Sequence, residues 1–132
     1  MSQENIERMR QALAAFERGD KETWLGLVHD DIEAVPMGDW PEEAHVRGRE
    51  AVWDFLVATE EPWEPGPYEL DEVADGGDHV AARTRRDLRG KSSGVEVEFD
   101  LWAVLTFRDG KVTRVEWFED RQAALEAAGL RE

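Results

Sequence analysis

The chain has 132 residues, 41% of them apolar and 36% charged, which is typical of one globular domain covering residues 1–132. Its 31 acidic and 16 basic residues give a net charge of −15, which disfavours binding to nucleic acid or to an anionic membrane. The absence of cysteine excludes disulfides and thiolate metal ligands, and the polar N-terminal sequence lacks an apolar signal segment. These properties predict a cytoplasmic protein.

The N-terminal part of the chain predicts two helices followed by a strand. The first helix carries one apolar residue every three or four positions, at Ile6, Met9, Leu13 and Phe16. Gly19 is suited to end this helix, and Asp20 to cap a second, short helix with Trp24 on its inner face. The second helix is predicted to include Val28, and the strand to occupy residues 32–37.

The remaining sequence predicts one more helix, four strands and a closing helix. Gly48 precedes the third helix, and the proline-rich residues 60–67 are compatible with neither a helix nor a central strand. The strands are predicted at residues 68–74, 79–88, 95–107 and Lys111–Phe118. The resulting order, ααβαββββα, predicts an α+β fold in which a curved, mostly antiparallel sheet wraps around three helices and leaves a conical cavity.

Three sequence segments resemble the SnoaL-like branch of the NTF2-like superfamily. They are NIERMRQALAAFERGDKETWLGLVHDDIEA near the N-terminus, VRGREAVWDFL in the middle, and TFRDGKVTRVEWFEDRQAALEAAGL towards the C-terminus. The resemblance covers nearly the whole chain and implies the NTF2-like cone. It implies no particular activity, because this fold hosts polyketide cyclases, ketosteroid isomerases, epoxide hydrolases and non-enzymatic domains.

The acids that ketosteroid isomerases use are replaced in this chain. By resemblance, their catalytic base corresponds to Val35 in the segment Val35-Pro36-Met37-Gly38. The protonated acid of their oxyanion hole corresponds to Ala103, and so does the acid or histidine that polyketide cyclases often carry on a late strand. The resemblance therefore argues against the ketosteroid isomerase reaction.

Two sets of ionisable residues are candidates for acid–base catalysis. Strand alternation predicts that Glu33 points into the cone together with Val35, where it would act as a general base. Arg85 and Asp87 resemble the Arg-x-Asp pair of limonene epoxide hydrolases, although Trp117 stands where those enzymes carry a second acid.

Each of these sets also has a structural interpretation. Alternation along residues 79–88 favours an outward-facing charge ladder, in which Arg83 and Arg85 pair with Asp100 and Glu98 across two strands. A one-residue bulge would reverse this and turn Arg85 inward. For Glu33, the alternative is a salt bridge to a nearby arginine.

Tryptophans and apolar strand faces predict the lining of the cavity. The side chains expected to contact a small apolar or ring-containing ligand are Trp24, Val35, Trp53, Leu56, Trp63, Leu101, Ala103, Leu105 and Trp117. Trp102 is expected on the outer sheet face, where an exposed aromatic residue, together with the family resemblance, predicts a homodimer interface. His29, His45 and His79 show no metal-binding spacing, so neither a metal nor a cofactor is expected.

The sequence leaves three functions open. The leading hypothesis is a pocket protein that binds a small apolar molecule and whose activity is unassigned. One alternative is a cofactor-independent acid–base enzyme, of the cyclase, isomerase or epoxide hydrolase type, that uses Glu33 or the Arg85/Asp87 pair. The other is a dimerising structural module whose cone is filled by its own side chains.

Overall fold

The computed structural model describes residues 2–35 and 45–130, which form four helices and seven strands. The helices are α1 (Ser2–Glu17), α2 (Lys21–Leu27), α3 (Arg49–Glu60) and α4 (Arg121–Ala127). The strands are β1 (Val28–Val35), β2 (Val46–Arg47), β3 (Trp63–Pro65), β4 (Glu69–Asp75), β5 (His79–Gly90), β6 (Glu96–Arg108) and β7 (Lys111–Phe118). No helix in this part of the chain is long and apolar enough to cross a membrane.

The strands form one curled sheet in the order β2-β1-β7-β6-β5-β3, and β4 pairs with β5 on the same edge as β3. Within the described chain, β1 and β7 run parallel and the other pairs run antiparallel. Asp109 and Gly110 have positive φ angles of 53° and 79°, as expected for the tight turn between β6 and β7. The predicted α+β, mostly antiparallel cone is confirmed, although the predicted order ααβαββββα did not include the short strands β2 and β3.

The boundary between α2 and β1 differs from the sequence prediction. The helix ends at Leu27, and Val28, predicted to be helical, already has extended backbone angles and pairs with Val112 of β7. Valine is branched at Cβ and therefore favours a strand over a helix end. The predicted end of this strand, residues 36–37, lies outside the described residues.

The proline-rich segment passes along the edge of the sheet. Trp63–Pro65 forms a short edge strand, where a proline is tolerated because one side of the backbone makes no ladder hydrogen bonds. The amide of Gly66 then donates to the carbonyl of Asp87 at 2.7 Å, which holds the chain against β5 on its way into β4. This passage brings Tyr68 to the inner side of the sheet.

The two faces of the sheet carry different cores. The inner face packs against α1, α2 and α3 in the larger core, whose fully buried members include Met9, Val28, Ile32, Val52, Val80 and Val112. The outer face packs against α4, whose residues Ala124 and Leu125, together with Ala128 directly after the helix, cover Ala81, Trp102 and Val104. Three helices therefore lie inside the curl of the sheet, as predicted, and the fourth lies behind it.

Trp102 faces away from the cavity, as the alternation predicts, but its expected exposure is wrong. Its side chain is buried because α4 packs over it, and the Arg121 guanidinium lies 5.9 Å from its ring centre. The exposed aromatic residue on which the sequence-based dimer interface rested is therefore covered by the chain itself.

Candidate functional site

A cavity of about 80 Å³ lies between the inner sheet face and the first three helices. Its helical wall consists of Met9, Ala12, Leu13, Phe16, Trp24 and Leu56. The four residues from α1 follow the three- and four-residue spacing that places side chains on one helix face. Trp53 supports this wall from behind, with its ring centre 5.3 Å from that of Trp24 and 5.5 Å from that of Phe16.

The sheet supplies the opposite wall of the cavity. Strand β6 contributes alternating residues, Phe99, Ala103 and Leu105. Strand β7 contributes Val112, Val115 and Trp117. The inward-facing residues of β7 change from even to odd numbers because its pairing with β6 is irregular opposite Thr106 and Phe107. The remaining wall residues are Val28, Ile32, Tyr68 and Thr84.

Five of the residues predicted to contact a ligand border this cavity: Trp24, Leu56, Ala103, Leu105 and Trp117. Trp53 lies one layer behind the wall. Trp63 is half-buried on the edge strand β3, opposite Gly90. Leu101 is also half-buried, and its carbonyl accepts a hydrogen bond from the cavity residue Thr84. Val35 is half-buried in β1 and does not border the cavity.

The predicted orientation of Glu33 and Val35 is wrong. Ile32 borders the cavity and Ala34 belongs to the inner core, so the even-numbered residues of β1 face inward and Glu33 faces the outer side. The alternation itself is regular, since Val28, Ile32 and Ala34 are all buried, and the prediction is wrong because the resemblance to ketosteroid isomerases placed Val35 on the inner face.

On the outer face, Glu33 is surrounded by cationic and polar partners. One carboxylate oxygen lies 3.2 Å from Nδ1 of His45 and 3.3 Å from Nε of Arg47, and the other lies 3.6 Å from the Arg114 guanidinium. Burial raises the pKa of Glu33, but the hydrogen bonds and the arginine charges outweigh burial and bring the pKa below its ordinary value. Glu33 is therefore an ionised member of a salt-bridge cluster, as in the structural interpretation.

Arg85 belongs to the predicted charge ladder on the outer face. It donates hydrogen bonds to Asp71 at 2.7 Å and to Glu98, while Arg83 donates to both oxygens of Asp100 at 2.9 and 2.7 Å. Asp87 is exposed on the same face. Without the inward bulge, neither Arg85 nor Asp87 contributes an ionisable group to the cavity wall.

Arg86, between these two residues, is the charged side chain that the sequence analysis missed. It is buried on the inner face with 5% of its surface exposed, and its guanidinium lies 4.0 Å from the ring centre of Tyr68. It donates hydrogen bonds to Glu60 and to the carbonyl of Gly66. Strict alternation from Val80 would have indicated it, since every second residue from there faces inward.

Tyr68 and Thr84 bring hydroxyl groups to the otherwise apolar wall. The Thr84 hydroxyl donates to the carbonyl of Leu101 at 2.8 Å and keeps its lone pairs for a further donor. Burial raises the pKa of the Tyr68 phenol above its ordinary value, so this group is neutral at pH 7. Among the described residues, no three His, Asp or Glu side chains form a group that could hold a metal ion.

Comparisons with known proteins agree with this geometry. Residues 9–115 match the SnoaL-like domain family. An NTF2-like protein from Burkholderia xenovorans LB400 is 31% identical over 97% of both chains, with a TM-score of 0.77. TerC, co-crystallised with polyporic acid, is 26% identical over 96% of this chain and 98% of its own, with a TM-score of 0.73.

A Mycobacterium tuberculosis protein in complex with estradiol-17beta-hemisuccinate shares the fold at 18% identity, with a TM-score of 0.74 over 89% of this chain and 95% of its own. No curated protein matches the chain. The family match spans most of the sequence and includes residues from both walls of the cavity. The chain therefore belongs to the SnoaL-like domain family and has the NTF2-like fold.

Proposed function

We propose that this protein binds a small, predominantly apolar molecule in the cavity between α1, α2, α3 and the sheet. The observation that carries the proposal is the composition of the wall, which is aliphatic and aromatic apart from a few polar atoms such as the hydroxyls of Tyr68 and Thr84. Pockets of this kind hold a ligand mainly by burying its apolar surface, and the few polar atoms orient it.

The size of the cavity limits the ligand. At about 80 Å³ it is smaller than the cavity of about 150 Å³ that takes up benzene in an engineered protein. A ring-containing ligand therefore requires wall side chains such as Leu13 or Leu56, which are only partly buried, to move outward. A short aliphatic ligand needs less movement.

Two structural relatives support binding of small molecules rather than a filled cone. TerC was co-crystallised with polyporic acid, and the Mycobacterium tuberculosis protein was solved in complex with estradiol-17beta-hemisuccinate. The acid–base enzyme alternative has no comparable support, because its candidate residues Glu33, Arg85 and Asp87 lie away from the cavity wall.

Uptake of toluene, followed by the NMR signals of wall methyl groups, tests the proposal. We expect saturable shifts of Val112, Val115 and Leu105 methyls, and Ala103→Leu should weaken binding at least about tenfold because the added side chain fills the cavity. Ala127→Leu on α4 adds the same volume outside the sheet and should leave the affinity unchanged. Absence of saturable methyl shifts in the unsubstituted protein, both with toluene and with the narrower aliphatic n-pentane, would contradict the proposal.

Homodimerisation stays a prediction, without the exposed Trp102 that first suggested it. Light scattering at micromolar concentration distinguishes a monomer of 15.1 kDa from a dimer of twice that mass. A monomeric mass would contradict the dimer.

A further inference from the structure

Arg86 is a buried cation next to the apolar cavity, whose wall it does not itself border. Its neighbour on the same strand face, Thr84, borders the cavity, and so does Phe99, its partner across β5 and β6. Its guanidinium stacks on Tyr68, which also borders the cavity. A charge in this position meets any ligand that extends past Tyr68.

The guanidinium has one fixed partner and one replaceable partner. Its Nε and one Nη donate to the carbonyl of Gly66 at 3.0 and 2.9 Å, and the amide of Gly66 is anchored to β5 through Asp87. Its other Nη donates to Glu60, the last residue of α3. The Glu60 side chain is 26% exposed, so rotation about its own bonds can take it away from Arg86 without movement of the helix.

A buried guanidinium favours ligands that carry an anion. An isolated buried charge is costly, so a neutral molecule cannot take the place of Glu60, whereas a carboxylate can. The flat guanidinium matches a carboxylate well, since it offers parallel N–H donors to the two oxygens. The net charge of −15 opposes the approach of anions. At about 0.15 M salt this repulsion is screened over a length of roughly 8 Å.

We propose that the ligand is a small apolar carboxylate, whose tail occupies the cavity and whose carboxylate binds Arg86 in place of Glu60. This inference rests on the proposed function and adds the chemical class of the ligand. Glu60, one helical turn after the cavity residue Leu56, then acts as an internal competitor for the ligand.

Paired ligands that differ in charge test the inference: hexanoate and hexanamide, titrated by calorimetry at pH 7 in about 0.15 M salt. The unsubstituted protein should bind hexanoate at least about fivefold more tightly than hexanamide. In Glu60→Gln the competing charge is removed, so hexanoate should bind about tenfold more tightly and hexanamide as before. Arg86→Met should reduce hexanoate binding to the level of hexanamide.

Arg85→Gln is the matched control, because it removes the same charge from the neighbouring position on the outer face and should change neither affinity. If Arg86→Met fails to fold, Glu60→Gln still tests the inference. This variant should fold because glutamine keeps an oxygen that accepts a hydrogen bond from Arg86. Equal affinities for the two ligands in both the unsubstituted protein and Glu60→Gln would overturn the inference and leave the apolar pocket standing. Binding of toluene without binding of hexanoate would also overturn it. If neither toluene nor n-pentane binds, the proposed function falls as well.

Discussion

Glu33 shows how a single carboxylate can hold together three elements of the outer face. It contacts His45, Arg47 of β2 and Arg114 of β7, and its own side chain is 18% exposed. Ion pairs on open surfaces contribute little to stability, whereas a partly buried carboxylate with several charged donors contributes more. We therefore expect Glu33 to act in stability, with its ionised form required.

Glu33→Gln should lower the free energy of unfolding by about 1–2 kcal/mol at pH 7, because the cationic donors lose their charged acceptor. The folded-state pKa of Glu33 lies below its ordinary value of 4.5, so its contribution is present above that pH and is lost as the pH falls through the folded-state pKa. Urea unfolding measures the free energy of unfolding of both proteins at pH 7 and at about pH 3.5. The difference between Glu33→Gln and the unsubstituted protein should be smaller at the lower pH.

Asp31→Asn provides the control on the same strand, since the Asp31 side chain is 86% exposed and should contribute only a few tenths of a kcal/mol. If the difference in free energy of unfolding between Glu33→Gln and the unsubstituted protein is the same at low pH, packing rather than charge is responsible for it.

Helix α4 has seven residues, yet it closes the outer core. Asp120 caps it by accepting a hydrogen bond from the Ala123 amide at 3.1 Å. A helix this short is unstable by itself, so its stability comes from burying Ala124 and Leu125 against Trp102. Because α4 and the cavity lie on opposite faces of the sheet, its packing should affect stability without affecting the ligand.

Leu125→Ala should destabilise the protein by about 2–4 kcal/mol, because it removes a side chain that is 4% exposed and leaves a void above Trp102. Denaturant unfolding measures this loss, and the toluene affinity from the NMR titration should stay within twofold of the unsubstituted value. Glu126→Ala, on the exposed side of α4, should change stability by less than about 0.5 kcal/mol. A loss below 1 kcal/mol for Leu125→Ala would contradict the role given to α4.

The whole molecule carries an excess of fifteen negative charges that its own bases cannot neutralise. Arginines pair with acids in the ladder and around Glu33, but the remaining carboxylates repel one another across the surface. Such repulsion destabilises the compact state more than the extended chain, and salt screens it.

Raising NaCl from about 0.02 to about 0.5 M should therefore increase Tm by roughly 2–5 °C. Calorimetry or circular dichroism checks the shift, and KCl should give the same result if screening is the cause. A fall in Tm with salt would mean that the surface ion pairs outweigh the repulsion.

Local sequence is enough to predict the four helices, the five longer strands, the hairpin before β7 and the inner face of β6, but not the short edge strands β2 and β3. These features depend on local conformational preference and on apolar periodicity, both of which are determined by residues close together in the sequence. The resemblance to the SnoaL-like family was confirmed for the same reason, since it rests on the order and spacing of elements.

Only the packing of distant elements determines what covers Trp102 and which partners surround Arg86. The inner face of β1 is set by Ile32 and Ala34, which pack into the inner core, whereas the isomerase position assigned to Val35 by resemblance pointed to the odd-numbered residues. The burial of Trp102 depends on α4 folding back over the sheet, and that of Arg86 on Tyr68, Gly66 and Glu60 arriving from distant parts of the chain. A polar residue in an apolar stripe can be buried when partners come to it, and those partners are set by the packing of elements rather than by the local sequence.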